Sequence, residues 1–300
     1  MSERIEISLQ IPHSDPAKQH RFFSLRLKQG LANEASVFER KRRIFVVSDV
    51  GGNFQSFCKI LVRGKIIDKQ LNWNFENGHV VILGNCFNED VLECLWLIYS
   101  LEEKAKKKEG YVHFIWGNNE LENINGNWRF KHPRYAKSEN VRPSASTALY
   151  DGNNELWRWL KTKNLAEKIG HTLFIHGSIS MRLLFSVKTI EDINSIAKDI
   201  RKPKRLFKAP IISEIFSNVQ AGVESEMMKD NEKRIDHLLR RFRVKRIVTG
   251  YQSAEKIELF YRGKVINVHT DHTGEQSQGL LIKGHHLFRV QNIGKAEKLS

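Results

Sequence analysis

The side chains able to do chemistry in this sequence stand at the ends of short apolar runs. Ile44-Phe45-Val46-Val47 leads into Ser48-Asp49-Val50-Gly51-Gly52-Asn53, and Val80-Val81-Ile82-Leu83 leads into Gly84-Asn85-Cys86-Phe87-Asn88-Glu89-Asp90. Val112-His113-Phe114-Ile115-Trp116 ends at Gly117-Asn118-Asn119-Glu120, Thr172-Leu173-Phe174-Ile175 ends at His176-Gly177-Ser178, and residues 246–249 end at Gly250-Tyr251-Gln252. In open α/β sheets ligands bind beyond the carboxyl ends of the strands. These five ends therefore converge on one candidate site that offers carboxylate, amide and imidazole groups. Each group also has a plainer use. Asp49 can accept backbone N–H groups in its own turn, Asn118 can fix its turn, and His176 can be a hydrogen-bonded core histidine. A later cluster, His269, Asp271 and His272, invites a separate metal site, because a period of two puts His269 and Asp271 on one strand face. Its place where a strand meets a turn makes solvated polar residues the expected reading.

The elements that must position these groups follow from hydrophobic rhythm. Continuous apolar runs suit strands buried on both faces. Phe54, Phe57, Ile60 and Leu61 recur at helical spacing after Asn53, a residue suited to capping. Val91 to Lys106 reads as a second helix through Val91, Leu95, Ile98, Leu101 and Ala105. Residues 121–150 read as loop-rich, 154–163 as a helix, 182–230 as mostly helical, and 231–242 as a helix. Short alternating strands are expected at Ile257–Tyr261, Val265–His269, Leu280–Ile282 and Leu287–Val290. Residues 5–11 and 22–28 also alternate and predict a hairpin. The organisation expected is an extension over 1–40 with two strands, then a single α/β domain over 41–300. Trp96, Trp157 and Trp159 fall on helices and are expected in the core, and His285-His286 reads as a turn.

Composition excludes some classes. No run of 18 apolar residues exists, so no membrane span is expected. The amino-terminal MSERIEISLQ has no apolar leader segment. Cys58, Cys86 and Cys94 are odd in number and lack metal-binding spacing, which predicts reduced thiols in a cytoplasmic protein. A net charge of +15 attracts polyanions. The charge is dispersed over Lys41–Arg43, Lys104–Lys108, Arg201–Arg205 and Lys233–Arg246, so nucleic acid is expected as a lesser partner and not as the main function.

Taken in order, the five strand ends resemble the motif series of the calcineurin-like metallophosphoesterases, nearest the bacterial Shewanella-like branch of the serine/threonine protein phosphatase group. The resemblance runs from about Ile44 to Val290 and includes flanking stretches at Trp73–Leu83, Leu95–Ala105, Asn125–Arg129 and Trp157–Ile169. It implies two mixed β-sheets packed as a sandwich and flanked by helices, with a two-metal site at the strand ends. It also implies what has changed. Asp49, Asn118 and His176 match family metal ligands. Gly51 and Tyr251 stand where ligand histidines belong, and Asn85 stands for the bridging aspartate. Asn88 replaces a second aspartate, Glu89 replaces the phosphate-binding arginine, and Asn119 replaces the general-acid histidine. Arg129 remains as a cation able to meet a phosphate.

Two divalent ions about 4 Å apart need anionic and imidazole ligands, and here one carboxylate and one imidazole remain. An amide at position 119 has no proton to give near neutral pH. Glu89 reverses the charge where a phosphate would dock. The expectation is a non-catalytic or impaired member of the fold that binds a protein partner or a phosphorylated ligand. At most it holds one weakly bound divalent metal (Mn, Fe or Zn) at Asp49, Asn85, Asn118 and His176. The alternatives are a residual metal-dependent phosphatase acting on phosphate monoesters and a polyanion-binding module.

Overall fold

A computed structural model describes residues 5–11, 21–86, 91–124, 154–177, 179, 181–200, 225–250, 252–272 and 276–299. In chain order, β1 (Glu6–Ile11), β2 (Arg21–Arg26), β3 (Val37–Phe38) and β4 (Arg43–Ser48) precede α1 (Phe54–Arg63). Then come β5 (His79–Leu83), α2 (Val91–Lys106), β6 (Tyr111–Ile115), α3 (Asn118–Ile124) and α4 (Glu155–Leu160). Next are β7 (Ala166–Ile169), β8 (Thr172–Ile175), α5 (Met181–Ser186), α6 (Ile190–Ile200) and α7 (Ser225–Arg241). The chain closes with β9 (Arg246–Thr249), β10 (Glu258–Phe260), β11 (Val265–Asn267), β12 (Gln278–Lys283), β13 (His286–Gln291) and β14 (Glu297–Leu299).

One six-stranded sheet has the order β14-β13-β12-β4-β5-β6, with β4, β5 and β6 parallel and β12 antiparallel to β4. The other runs β10-β11-β9-β8-β7-β3, with β8, β9 and β11 parallel and β7 antiparallel to β8. Both are mixed, as expected. The strand period of two explains why the apolar runs are continuous. On β4 and β5, Ile44, Val46, Val81 and Leu83 face the second sheet and meet Phe174, Val248 and Ile266 there. Their neighbours Phe45, Val47, Val80 and Ile82 face the opposite way and join the helices through Phe57, Ile60, Leu95 and Ile98. Parallel β4, β5 and β6 thus end on the same edge, and β8 and β9 bring theirs to it.

Helix α1 is capped by Asn53, whose side chain accepts from the Ser56 N–H at 3.0 Å. Strands β1 and β2 form the expected antiparallel hairpin, with Ile7 opposite Leu25. Trp157 and Trp159 are buried and Trp96 packs partly buried against the same core. His285 and His286 lie at the β12–β13 reversal, where His286 opens β13. The three cysteines are buried and form no disulfide. No helix among the described residues is long and apolar enough to cross a membrane.

Several boundaries differ from the periodicity. Asn118 begins a helix, α3, and does not enter a loop; residues 125–150 lie outside the described ones, as does 201–224 of the stretch read as mostly helical. Helix α7 starts six residues earlier than the apolar pattern suggests. β7 carries no apolar alternation because Glu167 points inward, satisfied by His113 and Asn164. β3, within the stretch read as a two-strand extension, pairs in parallel with β7. β11 stops at Asn267, so His269 and Asp271 lie beyond the strand and do not share a strand face.

Candidate functional site

The ends of β4, β5, β6 and β8 meet at a small group of polar side chains, held by backbone-to-backbone and carboxylate-to-backbone hydrogen bonds. Asp49 N–H donates to the Gly84 carbonyl at 3.2 Å and Gly51 N–H to the Asn85 carbonyl at 3.0 Å, which latches the first two turns together. Both Asp49 (φ 52°) and Asn85 (φ 54°) adopt the left-handed backbone region, which Asp and Asn tolerate better than most residues. Gly84 takes φ 55°, and a Cβ there would sit 2.2 Å from the Gly117 nitrogen, so only glycine lets these turns approach. Gly250 plays the same part under Ser48, whose Oγ would lie 1.8 Å from a Cβ.

Glu120 is the clamp of the site. Its Oε2 accepts from Gly117 N–H at 2.7 Å and Asn85 N–H at 2.9 Å, and its Oε1 accepts from Cys86 N–H at 2.9 Å. One buried carboxylate therefore ties the β5 and β6 ends together. Burial raises its pKa against the lowering effect of these N–H groups.

Asn85 lies at the centre. Its Oδ1 accepts from Asn119 N–H at 3.0 Å. Its Nδ2 lies 2.6 Å from Asp49 Oδ1, 3.0 Å from Asn118 Oδ1 and 3.1 Å from His176 Nε2. Asn118 Oδ1 and His176 Nε2 are 3.1 Å apart. His176 is fully buried, and its Nδ1 reaches the Leu83 carbonyl at 2.7 Å. Burial pushes its pKa down to about 3, so the ring is neutral. Asp49 Oδ2 is bonded by Ser48 Oγ. Burial holds the Asp49 carboxyl well above the usual carboxylate range, ahead of the lowering by Ser48 and Asn85. Asn119 Oδ1 accepts from Asn118 Nδ2 at 3.2 Å.

Asp49, Asn85, Asn118, Asn119, His176 and the Gly51 turn thus come together as the strand-end argument requires. Asn88, Glu89, Arg129 and Tyr251 lie outside the described residues. The His269 cluster is corrected. His269 Nδ1 lies 3.5 Å from Asp49 Oδ2, His272 is buried with Nε2 2.7 Å from the Ser48 carbonyl, and Asp271 is exposed. The two histidines serve the Asp49 turn, so they form neither a separate metal site with Asp271 nor a solvated patch. Among the described residues no group of three or more His, Cys, Asp and Glu side chains is placed to hold an ion. Sequence reasoning gave no role to Glu120 or Ser48. A glutamate in the first turn of α3 was the available signal for the former; nothing in the pattern pointed to the latter.

The donor set does not fit a two-metal centre. Among the described residues Asp49 supplies the one carboxylate facing Asn85, since the Glu120 carboxylate is taken up by backbone N–H groups; Gly51 offers no side-chain ligand, and the central side chain presents N–H donors to the acceptors around it.

Comparison with known proteins agrees with the two-sheet fold. A family model described as calcineurin-like phosphoesterase matches residues 42–250. Shewanella-like protein phosphatase 1 of Plasmodium berghei is 24% identical over 195 residues, covering 60% of this chain and 52% of the relative, so the chain spans about half the length of that curated protein. The cold-active protein-tyrosine phosphatase of a psychrophilic Shewanella species superposes with a TM-score of 0.82 at 26% identity, covering 97% of this chain and 90% of that one. A serine/threonine phosphatase of Saccharomyces cerevisiae shares the fold at a TM-score of 0.58 and 15% identity, covering 83% and 77%.

Proposed function

The chain belongs to the calcineurin-like phosphoesterase family, and we propose that it is a non-catalytic member, a pseudophosphatase that binds a protein partner or a phosphorylated ligand without cleaving it. The observation that carries this reading is the chemistry of the strand-end side chains. Family members normally bind divalent metals. Here, with Glu120 spent on backbone N–H groups, the described groups leave one carboxylate, held in a buried, hydrogen-bonded turn, and amides where the resemblance implies a bridging carboxylate and a general acid. Hydrolysis of a phosphate monoester needs stabilised charge on the phosphoryl oxygens and a proton for the leaving alkoxide. Asn85 and Asn119 provide neither an anion to hold cations nor a proton that leaves near neutral pH. Binding needs less, because holding a ligand requires no acid, base or metal.

A second reading, a residual metal-dependent phosphatase, is favoured by one observation. His269 joins Asp49 and His176 and adds an imidazole that the motif series does not include. Steady-state assay of the purified protein with an aryl phosphate and manganese separates the two. The non-catalytic reading expects turnover no greater than that of Asp49→Ala and His176→Ala; turnover that both substitutions abolish sinks it.

A further inference from the structure

We infer that the carboxamide nitrogen of Asn85 occupies the seat of a cation, so that this chain builds and keeps its strand-end site with no metal. The inference rests on the non-catalytic reading of the site, yet the two can fail separately.

The orientation of the amide is set by its neighbours. Asn119 N–H points at one end of the Asn85 side chain at 3.0 Å, and only an oxygen can accept it. The nitrogen must then face the other way. The His176 ring is set likewise. The Leu83 carbonyl, an acceptor only, lies 2.7 Å from Nδ1, so Nδ1 carries the ring proton and Nε2 presents its lone pair.

Three acceptors consequently surround one nitrogen: a carboxyl oxygen of Asp49 at 2.6 Å, an amide oxygen of Asn118 at 3.0 Å and the imidazole lone pair of His176 at 3.1 Å. Carboxylate, carbonyl and imidazole are the ligand types that hold a divalent ion. The Asn118 and His176 acceptors stand only 3.1 Å from each other, a spacing that needs something positive between or beside them. The partial positive charge of the NH2 group supplies it. The distances are those of hydrogen bonds and not of coordination, which would bring ligands to about 2.0–2.2 Å. A dication cannot enter while the NH2 group fills this seat and its two protons occupy the same acceptors. Buried acceptors without a donor are costly, so the amide is what makes this turn arrangement stable in the absence of an ion.

The change from carboxylate to carboxamide at position 85 thus does two things. It removes a ligand charge, and it puts a donor where the ion would sit. Reversing it should reverse both. In Asn85→Asp, the new oxygen joins Asp49, Asn118 and His176 with no donor among them, and a divalent cation relieves the repulsion.

The test uses the full chain, purified without added metal, for wild type and Asn85→Asp. Metal content is read by elemental analysis, and melting temperature is read in chelator, in manganese and in zinc. Wild type is expected to carry far less than one metal per chain and to melt at the same temperature in all three. Asn85→Asp is expected to bind about one ion per chain and to melt higher with metal than with chelator, as a ligand that binds only the folded state requires. Where Asn85→Asp does not fold, Asn85→Ala, which empties the seat, carries the same expectation with weaker binding. Wild type holding a stoichiometric metal through dialysis, or melting lower in chelator, overturns the inference. Folded variants that ignore metal overturn it too. Turnover measured on the same samples keeps the two claims apart. Metal-free wild type that hydrolyses an aryl phosphate defeats the non-catalytic reading alone, and metal-loaded but inactive wild type defeats this inference alone.

Discussion

Glu120 shows how much of this site is carried by one side chain whose role is purely positional. Two carboxylate oxygens receive three backbone N–H groups from the ends of β5 and β6. Glu120→Gln replaces one oxygen by an NH2, which must face at least one of those N–H groups. Hydrogen bonds to a charged acceptor contribute about 1.5–3 kcal/mol, and an unsatisfied buried donor costs a similar amount. A loss of about 2–3 kcal/mol is expected, seen as a lower denaturation midpoint in urea at unchanged slope; an unchanged midpoint contradicts the clamp. At this scale the sequence was legible where chemistry follows a strand end directly, as for Asp49, Asn85, Asn118 and His176. It was not legible for Glu120, because its partners are backbone groups that carry no sequence signal. Nor was it for His269, whose approach to Asp49 depends on how the segment after β11 folds back over β4.

At the scale of elements, β5 and β6, which end at the site, also share a buried polar chain with β7. His79 Nδ1 lies 2.7 Å from His113 Nε2, His113 Nδ1 lies 2.5 Å from Glu167 Oε2, and Asn164 donates to Glu167 Oε1 at 2.9 Å. This chain links β5 and β6 of one sheet to β7 of the other. Burial pushes Glu167 up to about 8 and Glu34 up to about 7, and pushes His79 and His113 down to about 3. A carboxyl whose folded pKa is raised contributes stability that is full below its unfolded value and lost as pH climbs through the folded one. A histidine with a lowered folded pKa works in the opposite sense, and its contribution is complete above its unfolded value of 6.5. Between about 6.5 and 8, where Glu167 loses its proton, this network therefore makes the fold less stable as pH rises. Glu167→Gln copies the protonated acid, accepting from Asn164 and donating to His113. Urea midpoints across this window should decline less steeply in the variant, and equal slopes would contradict the assignment. The same inward glutamate explains why β7 was hidden from pattern reading, while β4, β5, β6 and β8, whose alternate residues feed two apolar cores, were legible as uninterrupted apolar runs.

Over the whole molecule, a second buried charge network joins the segment before β3 to the body. Lys163, fully buried, pairs with Glu34 and lies 2.5 Å from Glu102; Lys28 pairs with Glu102 from the other side. Trp159 Nε1 and Glu102 Oε1 add a hydrogen bond at 2.8 Å. Removing one partner of a buried pair leaves a desolvated charge and typically costs about 3–5 kcal/mol. Lys163→Met is expected to fall in that range in urea denaturation, and adding Glu34→Gln should recover part of the loss; additive losses would show that the two do not share a network.

The two-sheet scaffold, the converging strand ends and the family membership agree with one another, but fold alone does not fix chemistry, which resides in the site. The proposed function requires that this site bind without cleaving. A stoichiometric mixture of the protein, an aryl phosphate and manganese, followed by phosphorus NMR, reads even a single turnover. A non-catalytic site leaves the monoester resonance in place with no inorganic phosphate. Inorganic phosphate appearing with wild type but not with Asp49→Ala contradicts it.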